Sequence, residues 1–205
     1  MKKIFVAIMM VALLCGCNSK ATFKKIAPIP SNVDLTDLRD ATVSASFSVN
    51  DFNWEENALT LTLYSKDIYS AADIASLQKG DTLVFSGNDI VVTSLKHDDV
   101  CLMVNGGVEE GGADLQELDH NTWRSLLPDD HYAYEEIGKV RLPLDDSFSL
   151  IDCGAEPNDP IDTVTTAQKA YIDQLPEYKK IFSELDTEVR INGGRISVIN
   201  RHWIP

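Results

Sequence analysis

Between residues 42 and 49 apolar and small polar side chains alternate, with Val43, Ala45, Phe47 and Val49 on one face and Thr42, Ser44, Ser46 and Ser48 on the other. Side chains along a strand point to opposite faces in turn, so this period predicts a half-buried strand. Leu59-Thr60-Leu61-Thr62-Leu63-Tyr64 repeats it, and Asn50-Asp51 begins a turn between the two. Together they predict an antiparallel hairpin whose long loop leaves the register open. Residues 82–85, 90–95 and 100–104 are short apolar runs separated by Ser86-Gly87-Asn88-Asp89 and Lys96-His97-Asp98-Asp99, which is turn chemistry. They read as a meander, and strands this short must twist and close on something to bury a face. Residues 139–144 and 147–152 predict a strand pair around Asp145-Asp146, and 188–191 and 195–199 a closing hairpin across Asn192-Gly193-Gly194.

Helical spacing is confined to two places. Residues 68–77 predict a short helix with Ile74 and Leu77 facing inward. In residues 165–175, Ala167, Tyr171 and Leu175 recur at steps of four, and Thr165 and Gln168 have capping-box spacing. Pro176 cannot lie deep in that helix, so it starts a second short one carrying Tyr178, Ile181 and Phe182. Residues 106–131, with Gly106, Gly107, Gly111, Gly112 and Pro128, read as loop-rich, and 154–162 as a polar loop. The fold class expected is mainly β (α+β): a small antiparallel β-barrel or sandwich with one or two short helices near the C-terminus. The strand–Gly-Asp–strand–strand order of residues 77–107 resembles that of SH3-like and other small barrels, which implies the same class.

The N-terminus has a different pattern. Met1-Lys2-Lys3 is followed by an uncharged run, 4–14, that is shorter than the ~20 apolar residues a bilayer span requires. A basic start, a short apolar core and a small-residue zone have the shape of a signal peptide. Ser19-Lys20-Ala21 would suit an ordinary secretory cut. Leu14-Cys15-Gly16-Cys17 resembles the lipobox of bacterial lipoproteins. That resemblance implies removal of residues 1–16, lipid on the Cys17 sulfur, and a domain held outside the cytoplasm at a membrane of the cell envelope. Stable anchoring takes two or more acyl chains. The organisation expected is therefore a signal peptide over 1–16, a lipid-anchored tether over 17–40 carrying Pro28 and Pro30, and a single β-rich domain over 41–205.

Composition narrows the partners. A hydrophobic content of 44% supports a packed core and excludes global disorder. The formal charge of −14, made more negative by loss of Lys2 and Lys3, excludes a nucleic-acid partner, which needs clustered cations. It favours solubility, or a protein partner of cationic chemistry. Size, acidity and anchor together resemble periplasmic inhibitors of cationic lysozymes. The acidic pairs Asp98-Asp99, Asp129-Asp130 and Asp145-Asp146, and the group Asp152, Glu156, Asn158, Asp159 and Asp162, do not match a calcium loop. No metal and no cofactor are assigned. Cys101 and Cys153 either form a disulfide, worth ~4 kcal/mol for a loop of about 50 residues, or are two thiols packed as small hydrophobes.

Nucleophile and phosphate-loop motifs are absent from the sequence, and His97, His120, His131 and His202 lack metal-ligand spacing. The densest chemistry is Trp123-Arg124 followed by residues 129–136. As a binding loop it would use Trp123, Arg124, Asp130, His131, Tyr132 and Tyr134, because aromatic side chains give rigid contact area. As an active site it would pair His131 with a neighbouring carboxylate for acid/base work in a small extracytoplasmic hydrolase. A third reading has the aromatics anchoring the loop to the domain. The function expected is a membrane-anchored lipoprotein with a non-enzymatic binding or assembly domain, the hydrolase being the alternative.

Overall fold

The computed structural model describes residues 22–98, 100–153 and 161–204. Cys17 with its lipobox, Asp99, and most of the polar loop 154–162 lie outside the described residues. In chain order the strands begin with β1 (Lys25–Ile26), β2 (Ala41–Ser48), β3 (Phe52–Asn53), β4 (Ala58–Lys66) and β5 (Ile68–Ser70), followed by helix α1 (Ala71–Ala75). Short strands then run as β6 (Thr82–Phe85), β7 (Asn88–Val91), β8 (Leu95–His97), β9 (Leu102–Val104), β10 (Ala113–Asp119) and β11 (Thr122–Leu126). The long β12 (Tyr134–Asp152) leads to β13 (Asp162–Val164), helix α2 (Gln168–Asp173), β14 (Ile181–Phe182) and the closing pair β15 (Thr187–Asn192) and β16 (Arg195–Arg201).

The two alternating segments pair as the pattern requires, β2 antiparallel to β4 with Ser44 opposite Tyr64. The first half of β12 lies antiparallel to β4, from Tyr134 opposite Lys66 to Pro143 opposite Ala58. Its second half lies parallel to β16, ending with Asp152 opposite Arg201. β15 joins β16 through the expected hairpin, and Val189 opposite Val43 closes the ring onto β2. The result is a closed five-stranded barrel. Its ring order, counted along the chain, is first, second, third, fifth, fourth, with helix α2 between the third and fourth strands. This is the arrangement of five-stranded Greek-key barrels of the OB type. Val43, Leu59, Leu61, Leu63, Leu150 and Ile191 fill the inside, α2 adds Ile172, and Phe182 stacks on Phe47 with ring centroids 4.5 Å apart.

Residues 139–152 were expected as a hairpin and form instead the continuous, bent β12. The register shifts between Leu144 and Ser149, where the Asp145 carboxylate accepts hydrogen bonds from the Ser147 amide (2.9 Å) and hydroxyl (2.6 Å). That local turn bends the strand without reversing it. Residues 165–175 are helical only over α2, because Ala167 at its start has φ 54° and no side chain caps it. Gln168 donates to the Phe148 carbonyl (2.6 Å) rather than closing a capping box. After Pro176 comes a single 3-10 turn, Glu177–Lys179, and Ile181 and Phe182 pair with β2 as β14.

Between β4 and β12 the chain leaves the barrel and builds a second body. One sheet has the order β5-β11-β10-β9-β8 and another β1-β6-β7. Tyr69, Ile74, Leu83, Phe85, Leu102 and Leu115 form its separate core. Residues 106–131, expected as loop, therefore contain the paired strands β10 and β11; only Ala113 and Leu115 in β10 point inward, a signal too short to stand out. Ile74 and Leu77 are buried as expected, although the helix spans only α1, capped by the Ser70 hydroxyl. The described part of the expected tether packs down: Ile26 joins the second core through β1, the Ile29 amide donates to the Ile68 carbonyl (2.6 Å), and Leu38 joins the barrel core. Where the chain crosses out and back, the Asp67 amide donates to the Ala133 carbonyl (2.9 Å) and the Ser125 amide to the Asp67 carbonyl (3.0 Å).

Candidate functional site

The predicted site residues fall along this crossing but are not one loop. Trp123 and Arg124 lie on β11, opposite Glu117 and Gln116. The Trp123 ring packs on the second core with His97 edge-on at 6.4 Å. Arg124 is buried and donates from Nε (2.8 Å) and Nη2 (2.6 Å) to the Gln116 amide oxygen, and from Nη1 to the Asp130 carbonyl (3.2 Å). It also pairs with the Asp130 carboxylate. This clamp holds a turn in which Asp129 (φ 59°) and Asp130 (φ 66°) occupy the left-handed region.

His131 takes part through its backbone, its carbonyl accepting from the Leu127 amide (2.8 Å). Among the described residues its ring has no side-chain partner, so the histidine–carboxylate pair is not formed there; the histidine that meets a carboxylate is His202, 3.7 Å from Glu188. Tyr132 sits between two cations, with Lys66 Nζ and the Arg124 guanidinium carbon each 5.0 Å from its ring centroid. Tyr134, opposite Lys66 in the ladder, is half-buried. Burial pushes its phenol above the ordinary range, and a hydrogen bond with Ser44 acts the other way. The structure thus brings Arg124, Asp130, Tyr132 and Tyr134 together at the seam, and sets Trp123 and His131 apart from them.

Residues the sequence analysis did not single out complete the site. A cleft of about 340 Å³ opens beside the seam between β2, β4 and residues 29–33. Ser44, Tyr64, Lys66 and Glu188 line it, and Lys66 Nζ stands 3.9 Å from the Glu188 carboxylate. A second cleft of about 240 Å³ lies further along the same two strands, lined by Ser46, Ser48, Asp51, Thr60, Thr62 and Lys139. Ser44 faces Tyr64 and Ser46 faces Thr62 in the ladder, so the clefts share one row of side chains. The Ser46 and Tyr64 hydroxyls are 2.9 Å apart. The signal for this row was the polar half of the two alternating segments, whose apolar half marked the core.

Asp67, at the crossing itself, is fully buried. One carboxylate oxygen accepts from the Ser86 amide (2.6 Å) and the Tyr69 hydroxyl (3.4 Å), and the other has no partner among the described residues. Burial pushes its pKa up to about 6, against the bond from Ser86, with nearby Glu135 adding to the rise.

Cys101, on the turn between β8 and β9, and Cys153, at the end of β12, are free thiols, so the disulfide considered for them is not formed. Burial and then an adjacent aspartate, Asp98 or Asp152, raise each thiol above its usual pKa, the opposite of a reactive thiolate. Among the described residues no group of three or more His, Cys, Asp or Glu side chains is placed to hold a metal ion, and no helix is long and apolar enough to cross a membrane. No family model, curated protein or solved structure matches the chain.

Proposed function

We propose that this chain is a non-enzymatic binding protein of the cell envelope, held at a membrane by lipid on Cys17, and that it binds its partner on the outer face of β4 with β2 and β12 beside it. The observation that carries the binding reading is the pair of clefts in one row on that face, flanked by Tyr132 and Tyr134. Five-stranded barrels of this topology use the face of their second and third strands for ligands. Here those strands are β4 and β12; this is an analogy of fold and adds support of that kind only. The His131 ring has no side-chain partner among the described residues, and this supports binding over the hydrolase alternative, because an acid/base pair needs an oriented imidazole.

The anchor rests on Leu14-Cys15-Gly16-Cys17. Cys17→Ser should move the protein from the membrane fraction to the soluble one or stall its processing, and mass spectrometry showing an unmodified start at Thr22 would exclude the lipid. The binding face is tested by placing a photo-crosslinking residue at Thr62 in cells. Capture of a partner there, and not from a control position at Glu177, is expected. Equal labelling at the two positions, or none at either, would overturn the face.

A further inference from the structure

Resting on that reading of the face, the geometry points to a linear, uncharged oligosaccharide as the ligand of the β2–β4 row. From Lys66 to Thr60 the row covers about 20 Å at ~3.3 Å per residue, long enough for several sugar rings end to end. Its side chains are Ser44, Tyr64, Ser46 and Thr62, paired in the ladder, with Thr60 and Ser48 beyond them; Ser44 is buried and the others are half-buried. Each hydroxyl is both a donor and an acceptor, which matches a ligand whose own groups are hydroxyls. Among the described residues the Thr60 and Thr62 hydroxyls make no side-chain bond, while Ser46 and Tyr64 hold each other in place at 2.9 Å. Tyr64 in the row and Tyr134 at its end are aromatic side chains of the kind that pack on the C–H face of a pyranose.

Other classes of ligand fit less well. The cations that reach the clefts, Lys66 and Lys139, are matched by Glu188 and Asp51, so the row is electrically balanced within a chain of charge −14. A polyanion finds no excess of positive charge there, and a cationic ligand no excess of negative charge. An extended peptide binding by strand addition needs an open edge. β2 is flanked by β4 and β15, and β4 by β2 and β12, so neither offers one. An acyl chain or apolar helix would leave the Thr60 and Thr62 hydroxyls buried without partners, at a cost of ~1–3 kcal/mol for each.

The test is calorimetric titration of the full chain with maltohexaose, cellohexaose and chitohexaose, beside heparin hexasaccharide and a dT6 oligonucleotide as charged probes. At least one neutral hexaose should bind, and the double variant Thr60→Val, Thr62→Val should bind it at least tenfold more weakly. Valine suits a strand as well as threonine does, and an unchanged thermal midpoint would show that the barrel is intact. A second variant, Ser46→Ala, should weaken binding in the same direction. Failure of all three hexaoses, binding that survives the double substitution in the folded protein, or preference for a charged probe would overturn the proposal. If a partner other than a glycan is captured at Thr62 while no hexaose binds, the sugar class fails and the binding face stands. If neither occurs, both fail.

Discussion

Arg201, the last residue of β16, lays its guanidinium on Asp152, the last residue of β12, with Nε 2.7 Å from Oδ1 and Nη2 2.6 Å from Oδ2. Both side chains are buried, 6% and 0% exposed, which is what separates this pair from the surface ion pairs. Arg201 also donates to the Lys179 carbonyl (2.7 Å) and covers the Phe182 ring at 4.1 Å, while the Tyr171 hydroxyl reaches Asp152 (3.1 Å). One contact thus ties α2, the turn after Pro176 and β14 to the parallel strand pair that completes the barrel. Removing one partner strands a buried charge, so Asp152→Ala should lower stability by ~3–5 kcal/mol in urea unfolding. The double variant Asp152→Leu, Arg201→Met should lose less than that single change, because it leaves no charge uncompensated. A double variant at least as unstable as Asp152→Ala would show that the hydrogen bonds matter more than the desolvation.

The closing hairpin supplies two of the five barrel strands, and Val189, Ile191, Ile196 and Ile199 are fully buried in its core. Ending the chain at Asp186 would open the ring on both β2 and β12 and expose that core. The truncated protein should lose its cooperative melt and its protease resistance, where an equal cut from an appended tail would change neither.

Asp67 makes a pH-dependent prediction of definite sign. Its folded pKa, about 6, lies above the ordinary 3.8, so the folded state favours the protonated form. The corresponding stability is fully present below pH ~4 and is lost as pH rises through ~6, a difference of ~3 kcal/mol at most. Asp67→Asn cannot titrate. The gap in urea midpoint between the variant and the parent should therefore shift in the variant's favour between pH 4.5 and 7.5, and a gap independent of pH would show that Asp67 does not titrate in this range. The comparison must be a difference between the two proteins, because Asp34, Asp98, Asp119 and Asp145 are held below their usual pKa by hydrogen bonds and act with the opposite sign.

What could be read from the sequence was what had a period or a stereochemical trigger. The alternation in β2 and β4 and the Asn192-Gly193-Gly194 turn mark three barrel elements, since a one-residue slip would turn Leu59, Leu61 and Leu63 to solvent. The barrel class follows, but not its closure. The bend of β12 depends on Asp145 bonding its neighbour Ser147, and the same Asp-rich stretch equally describes a hairpin turn. The second core was hidden because its strands contribute few inward residues each and meet only in three dimensions. At the site, Tyr132 and Tyr134 stood out as aromatics near a histidine, yet their neighbours Lys66, Ser44 and Glu188 are distant along the chain and carry no motif. Burial by β11 pairing also moved Trp123 from candidate binder to core support.

That last distinction can be measured. Trp123 packs against the second core, so Trp123→Ala should lower the thermal midpoint by several degrees, consistent with a loss of ~2 kcal/mol, and should change partner capture only as far as it unfolds the protein. Tyr132 packs against Arg124 and against Lys66, which lines the cleft, and losing its two cation–π contacts should cost only ~1 kcal/mol of stability. As an aromatic anchor at the edge of the binding face it should weaken capture by ~2 kcal/mol when replaced by leucine. His131→Ala should leave both quantities near those of the parent, since its ring has no side-chain partner among the described residues. Melting curves and capture yields for the three variants, measured side by side, should therefore place Trp123 and Tyr132 at opposite corners. If His131→Ala abolishes an activity while Tyr132→Leu does not, the chemistry is centred on His131 and the non-enzymatic reading is wrong.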